Sequence, residues 1–237
     1  MMQVVILAGG LGTRLRGVAP ADTPKVLVPV AGRPFIEHQF DLLRGCGVTR
    51  VLLCIGHFGA KVRAHVGDGA RFGLQVAYAE EDPAHLLGTG GALVHALPVL
   101  EAQFLVMYGD SYLPVDVAAF ARWFECAGVP AAMSVFRNEG QWDASNTRIA
   151  GERVVFYSKQ AKRGDADYID YGLSAYRRDV IARYATRPPP LDLAQVQSDL
   201  VASSEMGAYV VTQRFYEIGK PEGWAELDAL LRERQAP

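Results

Sequence analysis

Cysteine is scarce in this chain, with three in 237 residues. Cys46, Cys54 and Cys126 lie far apart and form no C-x-x-C pair. That excludes a disulfide framework and a thiolate zinc site, so the three read as packing residues. The five histidines show no metal-ligand spacing. An excess of one charge is also missing: 24 basic residues face 26 acidic ones, a formal net charge of -2. Such a balance gives no global attraction for nucleic acid or an anionic membrane surface, so an anionic ligand needs a local site. No apolar run approaches the roughly 20 residues that span a bilayer. No basic segment precedes the apolar start at Val4 to Leu7. The expectation is a cytoplasmic protein with neither nucleic-acid nor membrane partner; self-association is left open.

What is present is a chain that is 50% hydrophobic, enough to bury the core of one elaborated domain covering 1–237. Short apolar runs at Val4 to Ala8, Val51 to Ile55, Leu74 to Ala79 and Phe104 to Tyr108 read as buried strands. Between them, Phe35 to Leu43, Ala60 to Val66 and Thr89 to Leu97 read as helices. This alternation predicts an α/β fold: a doubly wound, mostly parallel mixed sheet with ligands outside the carboxyl ends of its strands. Gly9-Gly10 and Gly109-Asp110 stand at two such ends. Later segments are less regular. A helix is expected at Val117 to Cys126 and a strand at Ala131 to Val135. Shorter strands are expected at Arg148 to Ala150, Val154 to Tyr157, Leu173 to Tyr176 and Tyr209 to Thr212. Pro188-Pro189-Pro190 reads as a rigid connector, and a terminal helix is expected over Pro221 to Arg232. Residues 1–135 are thus expected to form the regular core that carries both glycine ends, and 136–237 a smaller extension and C-terminal part.

The string Leu7-Ala8-Gly9-Gly10-Leu11-Gly12-Thr13-Arg14-Leu15-Arg16 places three glycines and two cations directly after a strand. Glycine lets backbone amides approach phosphate oxygens, and an arginine fork can clamp two of them. Two common phosphate loops are excluded by spacing. The dinucleotide fingerprint needs glycine where Leu15 stands, and the P-loop ending Gly-Lys-Ser/Thr is absent.

With Thr23-Pro24-Lys25 added, the whole string resembles the signature of sugar-1-phosphate nucleotidylyltransferases: a strand, L-A-G-G-x-G-T-R-L, then P-K about ten residues on. The resemblance implies a Rossmann-like, GT-A-like nucleotidyltransferase fold with a small sugar-binding extension. It also implies an enzyme of nucleotide-sugar and polysaccharide biosynthesis that joins a nucleoside monophosphate from an NTP to a sugar 1-phosphate. Leu7, Ala8, Gly9, Gly10, Gly12 and Thr13 would then hold the nucleotide. Arg14 would stabilise the departing pyrophosphate, and Lys25 the α-phosphate. A second cluster, Leu87-Gly88-Thr89-Gly90-Gly91-Ala92, opens a helix whose free amides can receive a polar ligand. By resemblance Gly88, Thr89 and Gly90 lie against base and ribose.

Asp110, after Gly109, projects a carboxylate at a strand end, an oxygen ligand suited to Mg²⁺. The resemblance gives it that role and sets Asp110 with Arg14 and Lys25 as the catalytic group. Its usual partner lies in a motif like aromatic-x-D-I-G-x-P-E. Here Tyr216-Glu217-Ile218-Gly219-Lys220-Pro221-Glu222 carries Glu217 in the aspartate position. Glu222 reads as a first-turn helix carboxylate. Lys159, in Tyr157-Ser158-Lys159-Gln160, resembles the family's sugar-phosphate lysine. Asp170, Tyr171 and Gly172 fall where relatives contact the sugar, and Arg137, Asn138, Trp142 and Asn146 are further candidates on that side. The motif around Thr89 is similar to that of heptose-1-phosphate guanylyltransferases, which favours GTP and a manno-configured heptose. Uridylyl, thymidylyl and cytidylyl transfer, a non-sugar phosphate acceptor and a non-catalytic nucleotide-sugar sensor remain alternatives.

Overall fold

The computed structural model of the protein describes residues 1–10, 15, 17–20, 22–139 and 141–235. Its first half alternates as expected. Strand β1 (Gln3–Leu7) leads through a 3-10 turn at Lys25–Leu27 to the two-residue strands β2 (Pro29–Val30) and β3 (Arg33–Pro34). Then follow α1 (Phe35–Gly45), β4 (Arg50–Ile55), α2 (Gly59–Val66), β5 (Gln75–Glu80), α3 (Gly88–His95), β6 (Gln103–Tyr108) and β7 (Ser111–Tyr112). The second half runs α4 (Val117–Cys126), β8 (Ala131–Arg137), β9 (Thr147–Ala150), β10 (Arg153–Tyr157), β11 (Tyr168–Arg177), α5 (Arg178–Ala182), α6 (Leu193–Ala202), β12 (Met206–Val211), β13 (Tyr216–Glu217) and α7 (Pro221–Gln235).

The described residues form a nine-stranded sheet in the order β5-β4-β1-β6-β11-β8-β12-β10-β9. From β5 to β6 all pairs are parallel. Strand β11 then lies antiparallel between β6 and β8, while β12 returns parallel to β8. The expected mixed sheet is therefore parallel chiefly in its first half. Neighbouring side chains along each strand point to opposite faces. Val4 and Ile6 of β1 join Phe40, Val62 and Phe120 in one core cluster, on the face of α1, α2 and α4. Val5 and Leu7 join Leu93, Ile181 and Val196 in another, under α3, α5 and α6. A third cluster seats α7, through Leu227 and Leu231, against Val28, Phe35, Tyr112 and Ile218. No helix among the described residues is long and apolar enough to cross a membrane.

Two helices were not expected. α5 has only five residues, too short for a 3.6-residue period to show. α6 has an Asp192 N-cap accepting the Ala194 amide and buries Leu193, Val196 and Leu200. That pattern is legible, although the preceding prolines suggested only a connector.

Candidate active site

A cavity of about 240 Å³ opens at the carboxyl ends of the parallel strands. Leu7, Ala8, Gly9 and Gly10 line it from the end of β1, Gly88 and Thr89 from the start of α3, and Lys25 and Asp110 from the loops beside them. The fold thus brings together residues that are up to a hundred positions apart in the chain. Gly12, Thr13 and Arg14 lie outside the described residues. The close approach has a steric condition at Gly109, where a Cβ would stand 2.7 Å from the Leu7 carbonyl oxygen and 2.9 Å from Val26 Cγ1. Only glycine lets β6 deliver Asp110 directly alongside the β1 loop.

Lys25 Nζ donates to Asp110 Oδ2 at 2.5 Å, with side-chain exposures of 21% and 27%. The pair is half-buried and holds its partners at the lip of the cavity. Glu217 comes to the same place by a strand pairing: β13 runs antiparallel to β7 with Glu217 opposite Ser111, and the Ile218 amide donates to the Asp110 carbonyl at 2.9 Å. Solvent reaches the Glu217 side chain, but protein crowds it on its other sides. That desolvation, and next the Asp110 charge, raise its pKa from an ordinary 4.5 to about 7. Two carboxylates whose charges oppose each other beside the Asp110 turn suit a divalent cation, although Glu217 itself lines a neighbouring cavity with Trp142 and Arg214. Among the described residues no group of three or more His, Cys, Asp or Glu gathers into a metal cage. Two carboxylates offer oxygen donors of the kind a hard divalent cation takes, with its remaining ligands left to water and phosphate.

The Glu217 shift has a measurable sign. A carboxyl whose folded pKa lies above its unfolded value favours the folded state while protonated, and that contribution is lost as pH rises through about 7. In metal-free buffer, Glu217→Gln is therefore expected to gain in melting temperature relative to the parent protein between pH 5 and pH 8. A difference that stays flat across that range would remove the unfavourable charge from Glu217.

On the acceptor side, Lys159 is exposed and bonds both oxygens of Asp192, at 3.0 and 2.9 Å. Asp192 also accepts from the Thr89 hydroxyl at 3.1 Å, and that hydroxyl receives the Leu193 amide at 2.8 Å. Thr89 so ties α3 to the start of α6 while still lining the cavity. Asp170 holds the β11 bulge by accepting the Gly172 amide at 2.9 Å. Burial raises its pKa from 3.8 to about 6, against lowering by the Gly172 amide and Lys159. Gly172 has φ +91 and sits against Ser111 and the Tyr108 ring, which brings this bulge beside the Asp110 turn. Asn146 accepts the Asp170 amide, and Asn138 is buried, bracing its own loop through Asp143 and Ser145. Arg137 pairs with Glu139, and Trp142 stacks under Arg214 with 3.3 Å from guanidinium to ring centroid.

Three expectations are corrected. Tyr171, expected against a sugar face, is 1% exposed and packs edge-on to Phe215 at 5.8 Å. Alternation along β11 points it into the core. Gly90, expected at the ligand, packs on Leu191, whose carbonyl takes both the Gly90 and Gly91 amides. Those amides are not free, so the opening of α3 offers fewer donors than its motif suggested. Cys126, expected in the packing, is exposed; Cys54 is buried, lines the cavity, and has its thiol pushed up to about 12 by burial. The sequence gives no individual role to one cavity residue, Glu81. It stands in the run Glu80 to Leu86, which is longer than in many relatives of the resembling family, and Gly9 and Gly56 pack against its carboxylate.

Comparison with known proteins gives this geometry a context. Over its full length the chain is 27% identical to a mannose-1-phosphate guanylyltransferase of Mycobacterium tuberculosis, covering 66% of that protein. It is 33% identical to a D-glycero-alpha-D-manno-heptose 1-phosphate guanylyltransferase of Campylobacter jejuni over 49% of this chain and 51% of the relative. Other curated relatives carry uridylyltransferase names. The chain spans about two thirds of the first of these proteins and about half of the other two. The crystal structure of HddC from Yersinia pseudotuberculosis complexed with GMP-PN superposes with a TM-score of 0.78 at 25% identity, covering 98% of this chain and 100% of that one. Nucleotidyltransferases of this kind generally use a divalent metal. Residues 4–204, from β1 to the turn after α6, match the family profile, and the chain belongs to the MobA-like NTP transferase domain family.

Proposed function

We propose that this protein transfers a nucleoside monophosphate from an NTP to a sugar 1-phosphate, releasing pyrophosphate. The observation that carries the reading is the Lys25–Asp110 pair at the mouth of a glycine-lined cavity, with Glu217 paired to Ser111 beside the same turn. A sugar-phosphate oxygen attacks the α-phosphorus, the bond to the β-phosphate oxygen breaks, and pyrophosphate leaves. A phosphate monoester is mostly dianionic near neutrality, so the acceptor needs no strong general base. The work left to the protein is alignment and charge.

In this reading the amides of Gly9 and Gly10 border the phosphates, Lys25 meets the charge that builds on the α-phosphate, and Arg14 holds the leaving group. Lys159 stands on the acceptor side and would exchange its bond to Asp192 for the incoming phosphate. Mg²⁺ would be held by Asp110 and Glu217, and it supplies positive charge to phosphate oxygens when bound. GTP and a manno-configured heptose 1-phosphate are the favoured pair, on the strength of the Leu87 to Ala92 motif and the guanylyltransferase relatives. The test is a matrix of GTP, UTP, dTTP, CTP and ATP against several sugar 1-phosphates, read by pyrophosphate release with Mg²⁺. Release that needs both an NTP and a sugar 1-phosphate supports the reading. Tight NTP binding with no release across the panel overturns it in favour of a sensor.

A further inference from the structure

Helix α1 buries one residue that its packing does not call for. Ile36, Phe40 and Leu43 form the apolar stripe of the helix within the core, and Gln39 stands in the same stripe at 0% exposure. Leucine or methionine would fill the position with no polar group to satisfy. The side-chain nitrogen of Gln39 donates to two backbone carbonyls, that of Tyr108 at 3.0 Å and that of Ser111 at 2.9 Å. Its Oε1 has no partner among the described residues. An orphaned buried oxygen costs stability, so the two bonds made by the same side chain need a reason beyond filling the core.

The two carbonyls supply it. Tyr108 ends β6, Ser111 begins β7, and Gly109 and Asp110 form the turn between them. One nitrogen held to both carbonyls fixes the two ends of this turn against each other and against α1. The task needs two hydrogens on one atom, which an amide has and a hydroxyl lacks. Main-chain bonds hold the rest of the turn, from the Gly109 amide to the Leu7 carbonyl at 3.0 Å and from the Ile218 amide to the Asp110 carbonyl at 2.9 Å. Ser111 is also the residue opposite Glu217 in the pairing of β7 with β13. Resting on the nucleotidyl-transfer reading above, we infer that Gln39 is a positioning residue: it sets the Asp110 carboxylate and, through Ser111, the strand of Glu217 for the cation and the phosphates. Gln39 does not line the cavity and acts only through the backbone of the turn. A reacting group displaced by about 1 Å can lose roughly 100-fold in rate, so a brace at this turn bears directly on turnover.

The experiment compares the parent chain with Gln39→Met and Gln39→Glu. Methionine keeps the length and approximate volume without a donor, and a glutamic acid buried in its protonated form supplies one donor in place of two. Each protein is read by urea denaturation, by kcat for pyrophosphate release, by the Mg²⁺ concentration for half-maximal rate, and by amide hydrogen exchange of the whole metal-free protein. In Gln39→Met, kcat is expected to fall about 10- to 100-fold and the half-maximal Mg²⁺ concentration to rise. Exchange is expected to quicken at residues 108–112 and 216–218 while α1 keeps its protection. Gln39→Glu is expected to be the less stable variant and the more active one, an order that a purely packing role would reverse. If Gln39→Met does not fold, Gln39→Glu against the parent carries the same readings. Unchanged kcat and exchange in a folded variant would overturn the inference. So would activities that rank as the stabilities do, or the failure of both variants to fold, which would make Gln39 a residue of the fold alone. The exchange arm needs no turnover: quickened exchange at the turn in a protein that releases no pyrophosphate with any acceptor would sink the transfer reading and leave Gln39 as the brace of that turn.

Discussion

Asp110→Asn is expected to lower kcat for pyrophosphate release by about 10³-fold while the protein stays folded. Asparagine keeps the shape and one acceptor oxygen, so Lys25 can retain a hydrogen bond where it now meets Asp110 Oδ2 at 2.5 Å. What disappears is the negative charge, and with it half of the carboxylate pair that would hold the cation. The turn itself is secured by backbone, through the Ile218 amide on the Asp110 carbonyl and the Gly109 amide on the Leu7 carbonyl. A second readout follows from the same change. Asp110 is the leading charge that raises the Glu217 pKa, so in the variant the pH dependence assigned to Glu217 is expected to move towards acid. Turnover within a few-fold of the parent under saturating Mg²⁺, in a variant with unchanged circular dichroism, would take Asp110 out of the chemistry.

Phe120→Ala is expected to destabilise the protein by about 3–5 kcal/mol. Phe120 is fully buried on α4, parallel to Trp123 at 6.1 Å and tilted towards Tyr209 of β12 at 5.2 Å. Truncation would empty the space between the helix and the sheet, and neighbours as rigid as these aromatic rings close such a void only in part. A loss of that size is a large share of the 5–15 kcal/mol that holds a typical domain together. The check is urea denaturation, with a lower midpoint and an unchanged slope. A shift equivalent to less than 1 kcal/mol would mean that α4 can collapse onto the sheet.

The legible parts of the fold were those whose signal is local. β1 and β6 are continuous apolar runs ending in glycine, and the helix expected at Val117 to Cys126 has those bounds in α4, where Asp116 caps it. β11 was expected only at Leu173 to Tyr176 because its first residues mix polar and aromatic side chains around a bulge at Gly172. Ile169, Tyr171, Leu173 and Ala175 do alternate onto one core face, but Asp170 and Gly172 between them read as a turn rather than as strand. Tyr171 is placed on a sugar face only by resemblance, whereas the period-2 pattern it shares with Ile169 and Leu173 sends it to the core. Glu81 carries no individual role in the sequence because its burial depends on Gly9 and Gly56, which arrive from the ends of two other strands.

By itself the sequence determined that a glycine-rich turn follows the first strand, that an aspartate ends a later one, and that an α/β sheet would present both at strand ends. These depend on spacing within a segment. Only the tertiary structure decided which distant groups meet. Glu217 is set beside the Asp110 turn by its pairing with Ser111, Lys25 is set against Asp110, and Lys159 is held on Asp192 rather than free. The physical reason is that charge and pKa depend on distance and desolvation, and both are fixed by contacts between segments far apart in the chain. The same carboxylates are unremarkable side chains until the sheet brings them to one edge.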